Sequence, residues 1–148
     1  MNERGAVTMP PDEVAALLAS GRKLQLATIN PDGTPHLVTM FYGLRDGRLA
    51  FWTYRASQKA RNLARDPRVT CLVEEGEDYF ELRGVQVTGV VRPLADVAAV
   101  GRLIAARLTG PAPAALETYV AHAAAKRTAY VVEPQRVTSW DHRRLLAG

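Results

Sequence analysis

From Lys23 to Asn30 the chain alternates, with Leu24, Leu26 and Thr28 on one side and Gln25, Ala27 and Ile29 on the other. A period of two predicts a β-strand with one buried face. Asn30-Pro31-Asp32-Gly33 follows. Proline presets φ for the first central position of a turn and glycine accepts a positive φ, so the chain reverses there. A second strand is predicted over 34–44, a turn at Arg45-Asp46-Gly47, and a third strand over 48–53. Three strands joined by two tight turns read as an antiparallel meander.

Elsewhere the period changes. Residues 11–20 predict a short amphipathic helix, with Pro11 and Asp12 in its first turn and Gly21 at its stop. Ser57 is placed to cap a helix that carries Lys59 early and Ala60, Leu63 and Ala64 on its apolar side, ended by Asp66-Pro67. Strand patterns return over 69–74 and 79–92, where Gly84 and Gly89 suggest a bend or bulge. Asp96 caps a helix with Val97, Val100, Leu103, Ile104 and Leu108 at helical spacing, and Gly110-Pro111 breaks it. Residues 114–126 predict another helix, with Leu116, Tyr119, Val120 and Ala123 inward. The last strand, 128–140, contains Pro134, which belongs at an edge or a bulge. The expected fold class is mainly β with helices (α+β). It comprises one domain over 1–148, with six strands in a small antiparallel barrel, helices over its openings and residues 1–9 as a flexible N-terminus.

The 148 residues are 47% hydrophobic and 23% charged, which excludes a long disordered or collagen-like chain. No run approaches the roughly 20 apolar residues of a membrane span. The start, MNERGAVTMP, lacks the basic-then-apolar layout of a secretory signal. The reading is a soluble, cytoplasmic protein without a membrane partner. A single cysteine, Cys71, excludes an internal disulfide and a multi-cysteine metal site. The net charge is +4, and all but three of the 19 lysines and arginines are arginines. Arginine grips oxyanions in a bidentate geometry, so this excess is compatible with phosphorylated ligands, although a coding bias towards Arg and Ala is the plainer account of it. No run of like charges resembles a nucleic-acid tail, and nucleic acid is not expected as a partner.

Most catalytic signatures are missing: there is no phosphate-binding Gly-rich loop, no dinucleotide fingerprint and no nucleophile elbow. His36, His122 and His142 are too scattered for a metal pair, and no metal site is expected. Cys71, mid-strand, reads as a buried inert thiol. The segment from Phe51 to Leu63 differs. A strand ends, Thr53 and Ser57 supply hydroxyls, and a helix opens with Lys59 and Arg61 near its start. A helix N-terminus offers unpaired N–H groups and partial positive charge, a ready phosphate site to which Arg55, Ser57 and Lys59 would add hydrogen bonds. A capped surface helix with solvated cations is the plainer account of the same residues.

Thr53-x-x-x-Ser57-x-Lys59-Ala60 followed by Asp66-Pro67-Arg68-Val69 resembles the phosphate-binding stretch of the flavin-binding split-barrel superfamily that includes pyridoxamine 5′-phosphate oxidase. The resemblance extends to Leu26-Ala27-Thr28 before Pro31-Asp32-Gly33, to Gly84-Val85-Gln86-Val87-Thr88-Gly89 and to Trp140-x-x-x-Arg144-Leu145, spanning about residues 10–145. It implies a six-stranded split barrel that forms a homodimer, with two cofactors at the interface. The oxidases carry an Arg early in the second strand and a Lys near its end, whereas His36–Phe41 holds neither. Gln58 replaces a second basic residue, and the oxidases' C-terminal Arg-x-His is missing. The runs Lys59-Ala60-Arg61-Asn62-Leu63 and Asp66-Pro67-Arg68-Val69 are most similar to the branch that binds the deazaflavin coenzyme F420.

That branch implies an oxidoreductase transferring hydride between the deazaflavin and a small unsaturated organic molecule. The resemblance assigns cofactor phosphate to Arg55, Ser57, Lys59 and Arg61, the ring to the main chain of Thr39 and Met40 with Thr53 and Tyr54 beside it, and completion of the pocket to Gln86 and Trp140 from the other subunit. No catalytic residue is nominated; Tyr54 and His36 are candidate proton donors. The alternatives are an FMN-dependent oxidoreductase, a cofactor-binding protein without turnover, and a barrel used as an interaction module.

Overall fold

The computed structural model describes residues 2–147. The predicted first strand is realised: β1 (Lys23–Ile29) buries Leu24, Leu26 and Thr28 and leaves the alternate side chains partly exposed. It pairs antiparallel with β2 (Pro35–Phe41) across the turn in which Gly33 takes φ 86°. The chain then passes through Tyr42 into β3 (Gly43–Arg45), which pairs with β4 (Arg48–Tyr54). Asp46 and Gly47 between them have φ of 52° and 79°, matching the twist of the strands they join.

The stretch predicted as one strand over 34–44 is therefore two, and the sheet has seven strands rather than six. Its order is β2-β1-β5-β6-β7-β4-β3, with β5 (Arg68–Glu75), β6 (Arg83–Leu94) and β7 (Arg127–Asp141) completing it. The expected meander does not form, because β4 lies beside β7 and not beside β2. Closure is the reason. The two halves of one extended segment serve the two ends of a curled sheet, and Tyr42 pins the change of partner. It is 1% exposed and donates its hydroxyl to the Leu18 carbonyl at 2.7 Å.

Inside the curl lie Leu24, Leu26, Phe51, Cys71, Val73, Val85 and Val132, with Leu17 and Leu18 of α2 (Pro11–Ser20) and Leu63 of α3 (Gln58–Arg65) packed against them. The helices α4 (Val97–Ala105) and α5 (Pro113–Ala124) sit outside the sheet, where Val100 and Ile104 meet Ala50 and Ala129. Tyr119 was expected inward, but it is 56% exposed. Val120 and Ala123 fill the buried face of α5, and the next position round the helix looks into the gap between α5 and the sheet. A short helix not foreseen, α1 (Glu3–Val7), precedes Met9, whose N–H donates to Ser139 Oγ at 3.0 Å. The strand expected from residue 79 begins at Arg83, after a 3₁₀ turn over Tyr79–Glu81. The bulge signalled by Gly89 and Pro134 is present: Thr88 pairs with Arg136 but Gly89 with Pro134, leaving Gln135 extra. Among the described residues no helix is long and apolar enough to cross a membrane.

Cys71 is fully buried, and burial pushes its thiol up to about 12. An aromatic disulfide reagent at pH 8 is expected to leave the native protein unmodified and to label one equivalent after denaturation. Stoichiometric labelling of the native protein would contradict that burial.

Candidate functional site

The ladder from β3 to β4 stops where the chain turns into β2. Continuing the Gly43–Ala50 register would set Phe41 against Trp52 and Thr39 against Tyr54, but β2 follows β1 instead. The strands part, and a cleft of about 660 Å³ opens between residues 39–41 and 52–54. Each stretch keeps one main-chain edge without a strand partner. Such an edge is a row of donors and acceptors ready for a ligand. The opposite wall is α4, α5 and the segment joining them, through Ile104, Leu108, Leu116 and Val120. Trp52 is seated against Gly101, where a Cβ would stand 2.4 Å from the indole; glycine here makes room for the ring.

One end of the cleft is cationic. Ser57 caps α3, its Oγ accepting from Ala60 N–H at 3.2 Å and lying 3.1 Å from Thr53 Oγ1. Lys59, in the first turn, lines the cleft, and its ammonium makes no hydrogen bond or ion pair among the described residues. Burial pushes its pKa down. A cation at a helix N-terminus gains nothing from the dipole, so an anion arriving there relieves both effects. Behind it Asn62, fully buried, donates to Thr28 Oγ1 and Asn30 Oδ1, both at 3.0 Å, and ties α3 to β1.

Of the residues expected in the site, the structure brings Thr39, Met40, Thr53, Tyr54 and Lys59 onto this cleft. Ser57 stands directly behind Thr53. Arg55 and Arg61 are exposed and outside the lining; Arg61 donates to the Ala56 carbonyl at 3.0 Å and to Gln58 Oε1 at 2.9 Å. Gln86 and Trp140 line a different cleft of about 780 Å³, shared with Met9 and Val14. Tyr54 is on the first cleft, whereas His36 is not: it sits opposite Thr28 in the β1–β2 ladder. Among the described residues no group of three or more His, Cys, Asp or Glu could hold a metal.

Sequence reasoning missed Arg127. It opens β7 opposite Tyr54, with its guanidinium carbon 4.1 Å from the Tyr54 ring centre and 4.9 Å from that of Trp52. Nothing local marks it, since Lys126-Arg127 reads as ordinary cations after a helix; only the β4–β7 register takes it to the cleft.

A sequence model described as pyridoxamine 5′-phosphate oxidase matches residues 10–141. No curated protein matches the chain. Among solved structures, the conserved hypothetical protein Rv2991 from Mycobacterium tuberculosis is 40% identical, with 96% of this chain and 91% of that one covered and a TM-score of 0.89. An F420 reductase is 27% identical over 82% of this chain and 93% of its own, with a TM-score of 0.63. A heme-binding protein from Mycobacterium smegmatis shares the fold at 22% identity and a TM-score of 0.69, covering 95% of this chain and 62% of that one.

Proposed function

This chain belongs to the pyridoxamine 5′-phosphate oxidase family, and on that premise we propose that it is a deazaflavin (coenzyme F420) dependent reductase of a small unsaturated organic molecule. The observation that carries this reading is the cleft in the split of the barrel. It is apolar along its walls, bordered by two open strand edges and closed at one end by the unpartnered Lys59 ammonium. A planar ring with a polar rim and a phosphate-bearing tail fits that donor set. The similarity to an F420 reductase favours the deazaflavin over FMN.

When bound, a deazaflavin supplies paired-electron hydride transfer, because carbon replaces the N5 of a flavin. The chain orients and screens. The main chain of Thr39 and Met40 would border the ring, with Thr53 and Tyr54 beside it. Lys59 and the capped start of α3 would hold the phosphate, and Arg55 and Arg61 would face the anionic tail from outside. Tyr54 is the candidate proton donor on the cleft.

Gln86 and Trp140 line another cleft within one chain, so they would complete this site only from a second copy. A homodimer follows as part of the reading. The outer side of β2 suits it, with Leu37 66% and Phe41 48% exposed on a sheet edge. No histidine or cysteine lines the cleft among the described residues, so a heme there would depend on Met40, Tyr54 or Tyr119 for an axial ligand.

Absorption titration of the purified protein with coenzyme F420 and with FMN tests the proposal, alongside sedimentation. The expected result is tighter deazaflavin binding, one per chain, to a dimer. FMN co-purifying stoichiometrically would make the protein a flavin oxidoreductase instead, and silence with both cofactors would remove cofactor chemistry from this cleft.

A further inference from the structure

We propose that Arg127 and the α4–α5 wall form a substrate subsite for molecules with an apolar body and one carboxylate, separate from the anion site at α3. The inference deepens the reductase reading and rests on it only in giving the α3 end to the cofactor.

Arg127 is held as a binding group is held. Its guanidinium stacks on Tyr54 and Trp52, and Nη1 donates to the Ala123 carbonyl of α5 at 3.1 Å. Stacking fixes the plane of the fork, and one hydrogen bond leaves most of its five N–H donors unused. Seven other arginines pair with carboxylates, among them Arg68 with Asp66 and Arg143 with Asp141. Arg127 has no such partner among the described residues, and no Asp or Glu lines the cleft. An immobilised fork facing a cleft without acidic groups recognises a planar oxyanion bidentately.

Its attachments differ from those of Lys59. Arg127 is tied to α5 and stacked on Trp52, which is itself seated against Gly101 of α4. It therefore joins the start of β7 to the helical wall, whereas Lys59 stands on α3. Beside Arg127 the wall is apolar, through Ile104, Leu108, Leu116 and Tyr119. A ligand satisfying both must be amphiphilic, with its charge at one end.

Fluorescence titration of the cofactor-free protein with anilinonaphthalene sulfonate, an apolar aromatic anion, and with the uncharged N-phenyl-naphthylamine tests this. Arg127→Gln should weaken the sulfonate probe about tenfold or more and the neutral probe less than about twofold. Leu116→Glu should weaken both, placing them on the wall, while Lys59→Ala should leave the sulfonate within about threefold of wild type. Arg127→Lys, which keeps the charge but not the flat fork, gives a several-fold loss for the sulfonate alone and serves if the glutamine variant melts early. Equal loss of both probes in Arg127→Gln would make Arg127 a packing residue and overturn the proposal. So would unchanged affinities, an ineffective Leu116→Glu, or a Lys59→Ala loss as large as that of Arg127→Gln. If the probe pattern holds but deazaflavin does not bind, the cofactor reading falls and the subsite stands. If deazaflavin binds and the pattern fails, the subsite alone falls.

Discussion

Lys59→Ala lowers deazaflavin affinity by about one to two decades and leaves the cofactor-free protein as stable as before or slightly more so. The magnitude follows from losing a hydrogen bond to a charged group, about 1.5–3 kcal/mol. The stability outcome follows from three costs that alanine removes: partial burial of an ammonium without a partner, a cation against the positive end of α3, and a weaker helix former. The pH dependence has a definite sign. Burial holds the Lys59 pKa below its ordinary 10.5 in the free protein, so the unfolded chain keeps that proton to higher pH. Stability without ligand therefore rises as pH rises through the depressed pKa, and the gain is complete once pH passes the unfolded value. Binding runs the other way: an anion favours the charged ammonium, so affinity falls as pH rises through that same depressed pKa. Cofactor titrations of both proteins across the alkaline range, with melts in the absence of ligand, measure all of this. An alanine variant with wild-type affinity and the same pH profile would take the phosphate away from α3.

Asn62→Ala is the second large effect, and it acts on the scaffold. The side chain is fully buried, donates to Thr28 Oγ1 and Asn30 Oδ1, and accepts from Gln58 Nε2 at 2.9 Å. Alanine removes all three bonds and leaves the buried Thr28 hydroxyl without this partner. The expected loss is about 2–4 kcal/mol, in the range for breaking a buried polar network. Guanidinium unfolding should show a lower midpoint at an unchanged slope. Because Asn62 anchors the helix that carries Lys59, deazaflavin binding should weaken as well. Asn62→Asp should rescue neither quantity fully, since a carboxylate accepts from Gln58 and Thr28 but cannot donate to Asn30 Oδ1, and it places a charge in a buried site. A midpoint shift corresponding to less than about 1 kcal/mol would mean that packing of Ala60 and Leu63 holds α3 without the network.

What the sequence determined is what short stretches of backbone and one-sided burial can encode. Alternation over 23–29 defined the buried face of β1, glycines and prolines placed the hairpin turns and the bulge, and Ser57 marked the start of α3 to the residue. Five of the candidate site residues lie on one cleft because they belong to two such stretches, the end of β2 and the passage from the end of β4 into the first turn of α3. Tertiary structure decided which strand edges meet. At Tyr42 the extended pattern continues without a break, so nothing local shows that the chain exchanges β1 for β4 there. That exchange is what turns six strands into seven and opens the split. The β4–β7 register alone brings Arg127 to Tyr54, and the packing of Val120 and Ala123 inward leaves Tyr119 on the cleft. Gln86 and Trp140 fall on another surface for the same reason: their distance from Lys59 depends on sheet order, which is a property of the closed fold and of no segment within it.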